Sequence, residues 1–203
     1  MPKKIDHEER KENILKTALK VFAEVGYREA NLSLIAERCG ISRPTIYQYF
    51  KDKDEIYYYA VKLVTGRLFL QLSAIAFDDS VGTEIDKIEK ICAVIMEEAE
   101  KSEQELTRLM EVMLHEKEFN KDFSEIIYRR TAKLSILFKR LISRGIQKGT
   151  IMECNVERVS QHIFNLMESF CFQIAFFKNF DRSESSDFLN SYLDFLRTEK
   201  TQD

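Results

Sequence analysis

Six glycines and two prolines are all that 203 residues contain. That is about 4% of the chain, against roughly 12% in average usage. Sandwiches and barrels need many tight corners, and this chain has too few turn formers to build them. The scarcity predicts an all-α fold of helices joined by short loops. Hydrophobic residues at 44% and charged residues at 32% provide a core and a solvated surface, which excludes a disordered chain.

Hydrophobic spacing places the helices. Ile14, Ala18, Val21, Phe22 and Val25 recur at helical intervals, and Gly26 ends that run. Asn31 is a suitable N-cap for a short helix carrying Leu32, Leu34, Ile35 and Ala36, which Gly40 closes. Ser42 caps a third piece, Arg43–Tyr49, with Pro44 in its first turn. Asp52, followed three residues on by Glu55, predicts a capped helix running to about Ala76. After a loop at 78–83, five more helices are expected near 84–101, 103–117, 122–148, 156–178 and 184–199, the fourth capped by Asn155. The map has about nine helices and no strand. Residues 1–52 form a head and 53–203 a body.

Charge separates the two parts mildly. The head carries ten Lys/Arg and eight Asp/Glu, while the body carries 21 and 26, so a weakly basic end joins an acidic remainder. The four cysteines, Cys39, Cys92, Cys154 and Cys171, are scattered without a C-x-x-C pair. With no leader and no uninterrupted apolar stretch near 18 residues, a cytoplasmic protein with reduced thiols and no membrane partner is expected. Enzyme signatures are absent. There is no H-E-x-x-H, no G-x-S-x-G and no glycine-rich phosphate loop. A helical di-iron centre needs Glu three residues before His, but Lys4, Val112 and Val159 precede His7, His115 and His162. No catalytic residue, metal or cofactor is expected.

The first 52 residues set out a helix-turn-helix. Leu32–Cys39 and Arg43–Tyr49 are joined by Gly40, Ile41 and Ser42, the short glycine-containing connection that lets two helices cross steeply. Ile35, Ala36 and Ile41 would pack between them. The second helix would enter the major groove of double-stranded DNA. Phe22-Ala23-Glu24-Val25-Gly26-Tyr27, Leu34 through Ser42, and Thr45-Ile46-Tyr47-Gln48-Tyr49-Phe50-Lys51-Asp52-Lys53-Asp54-Glu55-Ile56 resemble the TetR family of bacterial transcriptional regulators. The resemblance covers about residues 10–60. Beyond it, only length, helical character and the segment Arg144–Ile151 are similar.

Each head residue has a chemistry to offer. The Arg43 fork suits guanine O6 and N7, or else a phosphate. Gln48 pairs with adenine or reaches the backbone, and Pro44 offers apolar contact to a thymine methyl. Ser42 stands at the head of this helix. Thr45, Tyr47 and Tyr49 carry hydroxyls suited to phosphate oxygens, although the Tyr49 ring can equally pack beneath the head. Lys53, at a helix N-terminus, is expected beside a phosphate. The resemblance implies a further contact at Ser33.

The body reads as a dimer and a sensor. The segment 156–178 is apolar on two faces. One bears Ile163, Met167 and Phe170, and the other bears Phe164, Phe172 and Phe176. Such a helix packs its own core on one side and a partner on the other. A homodimer through Phe164, Phe172, Phe176, Tyr192 and Phe195 is the economical reading, and the resemblance implies the same. The resemblance also implies a pocket for a small-molecule effector. Met96, Met110, Met113 and Met167 are candidate apolar lining or simple core filling, with His115, Tyr128 and Glu168 as polar contacts. The expected function is a homodimeric repressor released from a near-palindromic operator by a small apolar ligand. A DNA-binding scaffold without ligand, or a ligand-dependent activator, remains the alternative.

Overall fold

The computed structural model describes residues 7–104, 106, 107, 110 and 121–198, with side chains omitted at 64 and 121–131. Eight α-helices are described: α1 His7–Val25, α2 Leu32–Arg38, α3 Arg43–Tyr47, α4 Lys53–Phe77, α5 Glu84–Lys101, α6 Lys121–Gln147, α7 Val156–Phe176 and α8 Arg182–Asp194. A 3-10 turn, Asp79–Val81, precedes α5. The all-α expectation holds among the described residues, whose only strand-like feature is an isolated antiparallel bridge between Ile151 and Arg197. The helix expected at 103–117 lies largely outside the described residues.

Two compact units divide the chain. The first comprises Met1–Gly66 with Gln104–Ile126, and the second Arg67–Glu103 with Ile127–Asp203. In the first, α1 turns Ile14, Ala18, Val21 and Phe22 inward to meet Ile35 and Ala36 of α2, Ile46 of α3, and Ile56, Tyr57 and Ala60 of α4. In the second, the helical stripe Ile85, Ile88, Ile91, Cys92, Ile95 and Met96 of α5 packs with Phe138 and Ile142 of α6 and with Ile163, Phe164 and Met167 of α7. Leu189 and Leu193 of α8 complete that core. By length and composition alone α4 is apolar enough to cross a membrane. Its apolar residues have another use, since Ile56, Tyr57, Ala60 and Val61 fill one core and Leu72 and Ala76 the other.

Capping follows the sequence closely. Asn155 Oδ1 accepts from the Arg158 amide at 2.9 Å. Asp52 Oδ1 accepts from the Glu55 amide at 2.8 Å, whereas the Glu55 carboxylate reaches the Lys51 amide, one residue before the expected partner. A complete capping box at Thr83 and Asp86 starts α5, satisfying donors at its first turn. Gly145 faces Ile151 so closely that a Cβ would lie 2.4 Å from Ile151 Cδ1, which explains glycine inside a helix.

The last helix ends at Asp194, short of the expected 199, because residues 195–198 pair with the chain after α6. Met152 N–H donates to Leu196 O at 2.9 Å. Arg197 is held there by Asp86, Glu89 and Asp194 at 2.7–3.0 Å. Beside it, the buried Glu84 carboxylate meets Lys148 at 2.7 Å and Arg144 at 3.2 Å, and Asp79 joins Arg144 to the wholly buried Lys87.

This network gives the fold an acid-sensitive seam. Hydrogen bonding from Lys87, reinforced by the charges of Lys87 and Arg144, holds the Asp79 carboxyl below its ordinary range. At Glu84 and Asp86 burial opposes ionisation. It is outweighed at Glu84 by Lys148, its own amide and Thr150, and at Asp86 by Thr83 and Arg197, so both also sit low. A carboxyl depressed on folding stabilises above the unfolded value, about 4, and loses that contribution as pH falls through the folded value. The thermal midpoint is expected to hold near neutrality and drop below about pH 4. Glu84→Gln should shallow that drop. A midpoint flat from neutrality to about pH 3 would contradict it.

Candidate nucleic-acid interface

Helix α2, which precedes α3 in the helix-turn-helix, is held by local chemistry at both of its ends. Asn31, extended at φ −145°, starts α2 by accepting the Leu34 amide at 3.0 Å. At the other end Gly40 takes φ +66°, a left-handed conformation that glycine adopts without penalty. Gly40 N–H then donates to Glu37 O and Ile41 N–H to Ala36 O, both at 3.0 Å, closing a Schellman motif. Two residues later Ser42 Oγ accepts the Thr45 amide at 3.3 Å and lies 2.8 Å from Thr45 Oγ1. Pro44 sits in the first turn, where no N–H is required.

These constraints expose one edge of α3. Ser42, Arg43, Pro44 and Gln48 are exposed, and Tyr47 is 59% exposed. Ile46 alone of α3 is fully buried, and it moors the helix on the core of the first unit. Thr45 is half-buried with its hydroxyl on Ser42, and Ser33 is half-buried on α2. The helix stops at Tyr47, two residues earlier than expected. Gln48 and Tyr49 make tightened bonds to Thr45 and Ile46, and Phe50 turns into the core. Tyr49 also packs on that core and lies 5.6 Å from the His7 ring, so its ring has the packing role that the sequence left open.

Lys53, expected beside a phosphate at the start of α4, also has backbone partners in the turn after α1. Its ammonium donates to Tyr27 O at 3.0 Å, Arg28 O at 3.1 Å and Ala30 O at 3.3 Å, and it lies 4.6 Å from the centre of the Tyr27 ring. The Tyr27 hydroxyl donates to Asp54. None of this was visible in the sequence, because the acceptors are backbone carbonyls more than twenty residues away.

In the second unit the structure sorts the candidate body residues. Met96 and Met167 are core, at 1% and 2% exposure. Glu168 is on the outer side of α7, with burial pushing its carboxyl above the usual range. Met110 is half-buried and belongs to the first unit. Met113, His115 and the Tyr128 side chain lie outside the described residues. Phe164, expected at a partner surface, instead belongs to the core of this unit, because α7 turns it inward with Ile163 and Met167. Phe172 and Phe176 are exposed on α7 with ring centres 4.8 Å apart, and Phe195 is 80% exposed after α8. Tyr192 is half-buried, its hydroxyl 3.3 Å from His162 Nδ1. All four cysteines are free, and desolvation pushes the Cys171 thiol up to about 11.

Residues 14–59 match the bacterial regulatory proteins of the tetR family. The HTH-type transcriptional regulator PksA of Bacillus subtilis strain 168 is 33% identical over 112 residues, 55% of this chain and about half (52%) of that protein. The fatty acid metabolism regulator protein of the same organism is 27% identical over 160 residues, covering 76% of this chain and 78% of its own. A solved structure of the transcriptional regulator FadR from Bacillus subtilis, in complex with stearoyl-CoA, superposes with a TM-score of 0.73 at 23% identity, over 92% of this chain and 97% of that one. That likeness carries the fold across the body, where the sequence resemblance fades. Residues 14–59 thus carry the head motif of the tetR family, and the fold of the whole chain is the one seen in the solved regulator FadR.

Proposed function

We propose that the protein is a cytoplasmic, homodimeric repressor, and not an enzyme, that leaves a near-palindromic operator when a small apolar ligand binds its body. Residues 1–52 act as the DNA-binding domain and 53–203 as the ligand-binding and dimerisation domain. The observation that carries the DNA reading is the edge of α3. A helix capped by Ser42 and moored by Ile46 leaves Arg43, Pro44, Tyr47 and Gln48 in solvent, where a major groove can receive them. Arg43 reads a guanine, and Ser33, Thr45, Tyr47 and Tyr49 lie close enough in sequence to the reading edge to set register on phosphates.

A dimer supplies the two-fold symmetry that a palindrome requires, with half-sites about 34–36 Å apart or a multiple of that. The exposed Phe172, Phe176 and Phe195 support it, because apolar surface left in solvent marks an interaction site. For the effector, a fatty acyl chain is the class favoured, since the FadR protein sharing this fold was solved with stearoyl-CoA. The same class fits an apolar body that includes Met96 and Met167. By linkage such a ligand must bind the DNA-incompetent state more tightly, and DNA must weaken it in return.

Arg43→Ala is the test of the reading edge. It should cost about 1–3 kcal/mol on the operator and flatten discrimination at one base position. Anisotropy titrations on single-base operator variants measure both. A variant that discriminates every sequence as the wild type does would remove Arg43 from base reading. Adding stearoyl-CoA to the wild-type complex tests the effector class. Release supports repression, tightened binding favours a ligand-dependent activator, and no response returns the scaffold reading.

A further inference from the structure

The three hydrogen bonds of Lys53 carry an inference about how the head is aligned, and it rests on the DNA-binding reading above. An ammonium has three N–H donors, and here three carbonyl oxygens at 3.0–3.3 Å take them all. The acceptors, Tyr27, Arg28 and Ala30, belong to the turn that leaves α1. Helix α1 ends at Val25, and Lys53, from the start of α4, gathers three carbonyls of the turn that follows it onto one cation. The arrangement is doubled beside it. Tyr27 donates to Asp54, the next residue of α4, and its ring packs with Phe22 and Tyr57 at 5.4 and 5.2 Å between centres. The Lys53 ammonium covers that same ring.

We propose that Lys53 is a positioning residue: with Tyr27 and Asp54 it clasps the α1–α2 turn to the head of α4 and so fixes where the reading pair begins. The turn ends at Ala30, buried at 1% exposure, and Asn31 follows immediately as the N-cap of α2. A shift of this turn moves the start of α2, and α2 carries α3 through Ile35, Ala36 and Ile46. Lys53 therefore governs the register of Arg43 on base edges without touching DNA.

A phosphate contact and a clasp differ in what salt does. Losing a phosphate contact lowers the slope of log K against log salt by about 0.9 and weakens every duplex alike. Losing a clasp misaligns only the specific complex. The experiment uses the full-length protein, its Lys53→Met, Lys53→Arg and Tyr27→Phe variants, a labelled duplex from the DNA upstream of its own gene, and an unrelated duplex of equal length. Anisotropy is followed from about 50 to about 200 mM salt.

The clasp predicts that Lys53→Met lowers affinity for the upstream duplex by roughly tenfold, with slope and unrelated-duplex affinity unchanged. Lys53→Arg does not restore it, because a flat guanidinium cannot place three donors at one point. Tyr27→Phe shifts affinity in the same direction at wild-type slope. A uniform loss of stability would lower both duplexes together and leave their ratio intact, which overturns positioning. A slope reduced by about 0.9, restored by Lys53→Arg and untouched by Tyr27→Phe, overturns it in favour of phosphate contact. Should Lys53→Met fail to fold, Tyr27→Phe decides, and a silent Tyr27→Phe overturns the clasp. Wild-type protein that binds neither duplex specifically overturns the DNA-binding reading itself, and the clasp with it.

Discussion

Phe172→Glu is expected to yield a monomer whose affinity for a two-half-site operator falls by roughly 10²–10⁴-fold. Phe172 is 46% exposed and its neighbours Phe176 and Phe177 are 37% and 51% exposed, so the substitution removes little from the core of its own protomer. In a two-fold interface every residue appears twice, and one substitution sets two carboxylates into an apolar contact. Phe188 of α8 and Phe195 just after it, at 59% and 80% exposure, present further aromatic surface. Once dimerisation is lost, the second half-site no longer benefits from an effective concentration set by the first. Light scattering after gel filtration gives the mass, and anisotropy gives the affinity. A dimeric Phe172→Glu protein with wild-type operator affinity would place the interface elsewhere.

Ile46→Ala should be nearly as damaging by a different route. Ile46 is fully buried and is the only residue of α3 that is. Truncating a buried isoleucine costs about 2–5 kcal/mol from lost burial and the cavity left behind. Against a typical total of about 5–15 kcal/mol, that is a large fraction for one side chain. A helix of five residues has little stability of its own, so its orientation leans on packing, and Ile46 is its one fully buried side chain. Denaturant unfolding should show the loss, and operator binding should fall although Ile46 faces away from solvent. Stability within about 0.5 kcal/mol of wild type, with unchanged binding, would show that α3 is held by something else.

The head was legible because its instructions are local. Asn31, Gly40 and Ser42 act within three or four residues of where they stand, so their spacing alone announces two helices and the turn between them. Thr83 and Asp86 spell a capping box in the same local code, at the point where the expected loop 78–83 gives way to the expected helix 84–101. The rest was hidden by distance. Lys53 reads as a cation at a helix start, and only folding reveals carbonyls 23 to 26 residues upstream. Arg197 finds Asp86 and Glu89 more than a hundred residues away, and the pairing of 195–198 stops a sequence that looks helical throughout. Periodicity could not say which face of α7 was inner, since both are apolar. Packing decides it by turning Phe164 inward and leaving Phe172 and Phe176 outside. In α4 the same ambiguity gives an apolar helix with residues in two separate cores.

The most direct test of the central claim is anisotropy of the full-length protein on the DNA flanking its own gene, with excess random competitor, at two salt concentrations. The account predicts binding of two chains per site that survives competitor and weakens steeply as salt rises. Equal affinity for random DNA, or no binding to any duplex, would contradict the reading of the α3 edge as a sequence reader.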